Sequence, residues 1–195
     1  MNKQKALDII AKDIENCNEC KVEKVGNAVP GEGNPDADVV FVGEAPGKKE
    51  AETGRPFIGR SGQLLRALIR EIGLKEEDVF ITSPVKYLPA GRQGLPGGTP
   101  TPKDIAHGRV HFLKQLKVID PKVIVLLGSV AVQAVLEEKL PITKFHGQII
   151  ERAMFGNKKV NVLLTFHPAA ALRFPNKFKH ALQGDFRKIK ELIDF

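Results

Sequence analysis

Residues 39–65 read VVFVGEAPGKKEAETGRPFIGRSGQLL. The apolar run Val39–Val42 has the length and composition of a strand buried on both faces. Gly43 and Gly47, with Pro46 between them, turn the backbone sharply at that strand's C-terminal end. Gly54, Gly59 and Gly62 then space out Arg55, Pro56 and Phe57 ahead of a helix. Ser61 is placed to cap this helix, whose apolar positions Leu64, Leu65, Leu68, Ile69 and Ile72 recur at helical spacing. Gly73 is placed to end it. Strand, glycine-punctuated loop and helix together make the layout of a ligand site at the carboxyl edge of a parallel sheet.

Working outward, the same alternation repeats. Residues 4–16 predict an amphipathic helix with Leu7, Ile10 and Ile14 on one face. Val79–Thr82 and Val123–Leu127 read as further strands, and Thr101 with Pro102 opens a helix reaching about Val118. On that helix Ile105, Phe112, Leu113 and Leu116 face inward, and at least one of His107 and His111 is expected to face outward. Gly156-Asn157 lies between two apolar arms and reads as a hairpin turn. A last helix from Asn176 buries Phe178, Ala181, Leu182, Phe186, Ile189, Leu192 and Ile193. Leu88-Pro-Ala-Gly91 is nearly repeated at Leu95-Pro-Gly-Gly98, a loop where extra length costs little and mobility is expected. The pattern predicts a three-layer α/β/α sandwich around a central, mainly parallel four-stranded sheet, with residues 1–195 forming one domain.

Composition narrows the class. The chain has 195 residues and is 42% hydrophobic, enough for one good core. No apolar run approaches the roughly 20 residues of a membrane span, and the N-terminus carries no apolar leader. A cytoplasmic monomer with no membrane partner is expected. The two cysteines, Cys17 and Cys20, are too few for a disulfide framework. At this spacing they read either as half of a metal or iron–sulfur site or as ordinary free thiols. The net charge of +7 points to a polyanionic partner. Neither a Walker phosphate loop nor a dinucleotide fingerprint is present.

Three segments carry a family resemblance: Gly43-Glu-Ala-Pro-Gly47, Gly54-Arg-Pro-Phe-Ile-Gly59 and His167-Pro-Ala-Ala-Ala-Leu-Arg173. With Pro100-Thr-Pro102 and residues 121–128 in the right order between them, they resemble the family 4 iron–sulfur uracil-DNA glycosylases. The resemblance implies a monofunctional base-excision repair enzyme acting on uracil-containing DNA. It would flip uracil out of the duplex and hydrolyse its N-glycosidic bond. In that reading Phe57 stacks on the flipped base, and Glu44, Ala45, Ser83 and His167 line the uracil pocket. His167 donates to uracil O2 as the base departs, and Glu44 or Glu50 positions the attacking water or offsets the sugar cation. Leu172, Arg173 and Lys86 contact DNA.

Two departures from the family pattern bear on chemistry. Ser83 stands where the family has Asn, and its shorter hydroxyl implies weaker selection against cytosine. This raises two alternatives: a catalytically weak module that binds uracil or abasic DNA, and a glycosylase for another deaminated base. The family's four-iron, four-sulfur cluster also meets only two of its ligands, Cys17 and Cys20, because Tyr87 and Gly108 occupy the third and fourth positions. The expected cluster is therefore absent or incomplete, and no nucleotide cofactor is expected.

The charge makes a direct prediction. Lys48, Lys49, Arg55, Arg60, Lys86 and Arg173 surround the proposed crevice, so DNA affinity should fall steeply with salt. The log–log slope should be about −0.9 per phosphate contacted; a flat response in a fluorescence-anisotropy titration would remove the nucleic-acid reading.

Overall fold

Val39–Val42 alternates its side chains between two buried faces. Val39 and Phe41 pack into one hydrophobic layer, Val40 and Val42 into the other, as the strand period of two requires. This comes from a computed structural model, which describes residues 2–91, 94–95, 97–154 and 159–193. In chain order the elements are α1 (Lys3–Asn16), α2 (Asn18–Lys21), β1 (Lys24–Val25), β2 (Glu32–Gly33), β3 (Val39–Val42), α3 (Lys48–Thr53), α4 (Arg60–Glu71), β4 (Val79–Thr82) and β5 (Leu88–Pro89). They continue with α5 (Pro102–Ile119), β6 (Val123–Leu127), α6 (Ser129–Leu136), α7 (Ile142–Phe145), β7 (Ile149–Ala153), β8 (Lys159–Thr165), α8 (Pro168–Arg173) and α9 (Pro175–Ile193).

The main sheet has the order β2-β4-β3-β6-β8-β7. Its centre is parallel: Val39 lies opposite both Val79 and Val123, and Val123 opposite Asn161. The edges β2 and β7 are antiparallel. The mainly parallel α/β/α architecture is therefore as expected, but the sheet has six strands, not four. The extra edge β2 has no apolar alternation to reveal it. Gly33 lies at φ 134°, where a Cβ would come within 2.1 Å of the Val79 carbonyl oxygen, so its pairing depends on the missing side chain. The other edge, β7, is one of the two expected hairpin arms, while the Gly156-Asn157 turn lies outside the described residues.

One face of the sheet is covered by α1, α5 and α6, through residues such as Ile14, Phe112 and Val132. The opposite face is covered by α4, α8 and α9, through Leu65, Ile69, Ala171 and Phe186. The Phe186 ring stacks on Phe41 with centroids 5.6 Å apart. Local signals set the helix starts. Thr101 and Asp104 form a reciprocal capping box ahead of α5, satisfying amide groups that the first turn leaves unpaired. α4 begins two residues earlier than expected, after Gly59, so Ser61 lies inside the helix and makes no cap. The repeated loop is tied down where described. Leu88–Pro89 pairs with β1, and the Gly97 and Gly98 amides donate to the Pro89 carbonyl. Among the described residues, no helix is long and apolar enough to cross a membrane.

Lys86 corrects the sequence reading. It is 2% exposed, so it does not contact DNA. Its Nζ donates to the Pro30 carbonyl at 2.9 Å, Thr82 Oγ1 at 2.8 Å and Gln115 Oε1 at 2.7 Å. Burial pushes its pKa down to about 7, since a cation taken from water loses its hydration. The side chain thereby ties β4 and α5 to the loop before β2. Lys86→Ala should leave the salt dependence of DNA binding unchanged. It should cost about 1–3 kcal/mol of stability by stranding buried acceptors, measured by denaturant unfolding.

Candidate functional site

Parallel strands deliver their C-terminal ends to one edge of the sheet. Gly43 follows β3 there, Ser83 follows β4, Gly128 follows β6, and His167 lies two residues beyond β8. The strand ends are fastened to one another. The Gly43 amide donates to the Thr82 carbonyl and the Gly128 amide to the Thr165 carbonyl, both at 2.9 Å. Beside them opens a cavity of about 350 Å³, lined by Glu44, Ala45, Phe57, Ser83 and His167 among others. Every pocket residue singled out from sequence borders this one space, including Glu50.

Phe57 is the most constrained of them. Its backbone is left-handed, at φ 51°, which costs a bulky residue energy unless its surroundings enforce it. Arg66 Nε donates to its carbonyl at 3.1 Å. A Cβ on Gly62 would come within 1.8 Å of that same oxygen, and a Cβ on Gly43 within 2.5 Å of the ring. Both glycines are therefore needed so that the ring can lie where it does. Its centroid is 5.8 Å from that of His167, with 30° between the planes.

The two acidic residues differ sharply. Glu50 is buried, and its Oε1 accepts the Ile58 amide at 2.9 Å and the Gly59 amide at 2.7 Å. Through that one oxygen it holds the loop that carries Phe57, while its side chain also borders the cavity. Glu44 is half-buried and makes no hydrogen bond among the described residues, and burial raises its pKa. An unpaired, partly desolvated carboxylate in a cavity is the one available to handle a water or a cation. Ser83 is buried and donates its hydroxyl to the Val85 carbonyl at 2.8 Å. What it offers the cavity is therefore lone pairs.

His167 precedes α8, and its Nδ1 accepts the Ala169 amide at 3.1 Å. Burial lowers its pKa to about 4. The ring is thus neutral at pH 7, with its proton on Nε2, which makes it a donor without charge.

A groove of about 480 Å³ adjoins the cavity, lined by Lys48, Lys49, Arg60, Leu172 and Arg173 among others. Leu172 and Phe174 are exposed apolar side chains, and the Arg173 guanidinium lies 5.2 Å over the Phe174 ring. Arg55, also expected at the crevice, is instead paired with Glu32 through both Nε and Nη2.

A second cluster lies on another part of the molecule. Cys17 and Cys20, at the junction of α1 and α2, face His107 and His111 on α5. Neither histidine faces solvent as expected: His111 is 7% exposed and His107 is half-buried. Burial, with the Cys17 thiol beside it, pushes the Cys20 thiol up to about 12. In the sequence these histidines stand close to the replaced fourth ligand position but are given no ligand role, and the parts played by Gly43, Gly62 and Arg66 are missed. The signal for the histidines was their spacing of four, which places both on one helix face.

Comparison with known proteins agrees with this geometry. The family model described as the Uracil DNA glycosylase superfamily matches residues 30–189. The chain is 39% identical over 192 residues to the type-4 uracil-DNA glycosylase of Archaeoglobus fulgidus, covering 96% of this chain and 93% of that one. It is also 39% identical over 194 residues to the Thermotoga maritima type-4 enzyme, covering 98% and 96%. The match to the type-5 enzyme of Pyrobaculum aerophilum is weaker, at 29% over 161 residues.

The depressed His167 pKa has a signed consequence. The unfolded chain takes up a proton near pH 6.5 that the folded chain resists until about pH 4. Its contribution to stability is therefore intact above pH 6.5 and lost as pH falls toward 4. An NMR titration should show no His167 transition near pH 6.5, and His167→Gln should flatten the fall in stability between those values.

Proposed function

The chain belongs to the uracil-DNA glycosylase superfamily, and from that membership and the pocket we propose that it excises uracil from DNA by hydrolysing the N-glycosidic bond. The observation that carries this reading is a neutral His167 whose Nδ1 is already occupied by the Ala169 amide. As the base leaves, its ring takes on negative charge. A donor fixed in place before reaction stabilises that anion without having to reorganise. Neutrality matters too, since a charged imidazolium would demand solvation that the pocket denies it.

The other roles follow from the contacts. Phe57, held rigid by Gly43, Gly62 and Arg66, supplies a flat apolar surface for the flipped base. Glu44 is the carboxylate free to orient water or to offset the sugar cation. Glu50 acts through the loop it anchors and is a positioning residue. Ser83 takes on a different character from the one expected. Its proton is spent on the Val85 carbonyl, so toward the base it only accepts. Uracil carries a hydrogen on N3 and cytosine does not, so a lone pair there favours uracil and opposes cytosine. This supports selection of uracil over cytosine by Ser83. Leu172 and Arg173 border the basic groove, where a side chain can fill the space left by a flipped base and contact its phosphates.

The test is single-turnover cleavage of a duplex bearing one uracil, with alkali revealing the abasic site. The wild type should cut at uracil alone. His167→Ala should slow the chemistry by about 10²–10³, the usual loss for an oxyanion-type donor, while still binding abasic product. Undiminished activity in His167→Ala would remove the assigned role.

A further inference from the structure

The family resemblance implies a four-iron cluster on four cysteines, and the residues of this chain do not fit that group. Tyr87, at the third ligand position, is buried, and its hydroxyl lies 3.4 Å from the Ile14 and Glu15 carbonyls at the end of α1. Gly108, at the fourth, packs against the loop after β4. Even a Cβ there would come within 2.2 Å of the Pro84 carbonyl oxygen, so that position has no room for a cysteine. Two of the four ligands are therefore not merely replaced; their positions are used for packing.

Close to those two positions, the chain supplies other ligands. His107 comes immediately before Gly108, and His111 follows one turn later on the same face of α5. One ligand atom from each of Cys17, Cys20, His107 and His111 lies within 4.8 Å of all the others. We propose that these four side chains bind a single zinc ion in a tetrahedral site of two sulfurs and two nitrogens.

Three observations support it. The first is scale. Zinc–sulfur and zinc–nitrogen bonds of about 2.3 and 2.0–2.1 Å place tetrahedral ligand atoms about 3.3–3.8 Å apart. Side-chain adjustments of about an ångström close the observed set onto one ion. An iron–sulfur cube spreads its ligands over four separate irons and needs a wider opening. A two-iron centre with mixed ligands sorts its cysteines onto one iron and its histidines onto the other. Here Cys17 Sγ is instead 3.1 Å from His107 Nε2, so the ligand types are interleaved.

The second observation is the outer partner of His107. Its Nδ1 lies 3.3 Å from Glu19 Oε2. A carboxylate holding one ring nitrogen so that the other meets a metal is a recurrent arrangement at zinc, and Nε2 is the atom turned to Cys17. The third is His111, whose buried Nδ1 has no hydrogen-bond partner among the described residues. A buried ring nitrogen left alone is costly, and a cation nearby gives this imidazole a partner. The charges also close: two thiolates balance one divalent cation, and the thiol protons go to solvent. Such a centre fastens the α1–α2 junction to α5, beside the loop that carries Ser83 and Lys86.

The experiment uses the full chain, expressed in medium holding both zinc and iron and purified without chelator. Elemental analysis should give about one zinc per chain, the stoichiometry of a closed structural site, with no acid-labile sulfide and no visible colour. Exchange with cobalt(II) should then produce the intense visible bands of a tetrahedral thiolate–imidazole centre. In Cys17→Ser and His111→Asn, zinc affinity should fall by more than the roughly 10–100-fold that losing an outer partner alone costs. Iron with sulfide in the wild type would overturn the proposal, as would the absence of bound metal or the weak bands of six-coordinate cobalt. The wild-type measurements decide the matter even if a variant fails to fold.

Discussion

Four parallel strands that are apolar on both faces can exist only between two layers of helices. That requirement governs the rest of this molecule. Val39–Val42, Val79–Thr82 and Val123–Leu127 are buried along their whole length, and removing such side chains from water supplies roughly 25 cal/mol per Å². With the layers in place, each of these parallel strands must hand its chain to a loop at the same edge. Gly43, Ser83, Gly128 and His167 meet there because of topology and not because they are near in sequence. The site is a consequence of how the core is buried.

At that edge the backbone is shaped by contacts that carry no chemistry themselves. Glu50 Oε1 accepts two amides, Gly43 and Gly62 give up side chains, and Arg66 holds a carbonyl. Together they keep Phe57 in a conformation it would not adopt alone. In the proposed reaction the groups that meet the base then act from fixed positions, as electrostatic stabilisation of a short-lived charge requires. The same logic separates the two acids. One holds a loop through Oε1, and the other makes no hydrogen bond among the described residues and has a raised pKa.

Much of this was legible in the sequence. A strand, a glycine-rich loop and a helix in residues 39–65 located the site, and the apolar periods of α1, α4 and α9 located the layers. What escaped did so for identifiable reasons. Lys86 looked like a surface cation because lysine usually is one; only the meeting of Pro30, Thr82 and Gln115 around its ammonium reveals otherwise. β2 is two residues long and ends in glycine. Ser83 could be compared with the family's Asn, but the direction of its hydroxyl proton depends on Val85 folding back toward it. The cysteine and histidine pairs stand far apart in the chain, so no local spacing joins them.

The central claim is that a neutral His167, the lone pairs of Ser83 and the ring of Phe57 read a single uracil. The most direct measurement is a crystal structure of the chain with free uracil bound. The base should lie against Phe57, with N3 toward Ser83 Oγ and O2 toward His167 Nε2. Uracil bound away from Phe57, or with neither polar edge meeting Ser83 and His167, would contradict the account.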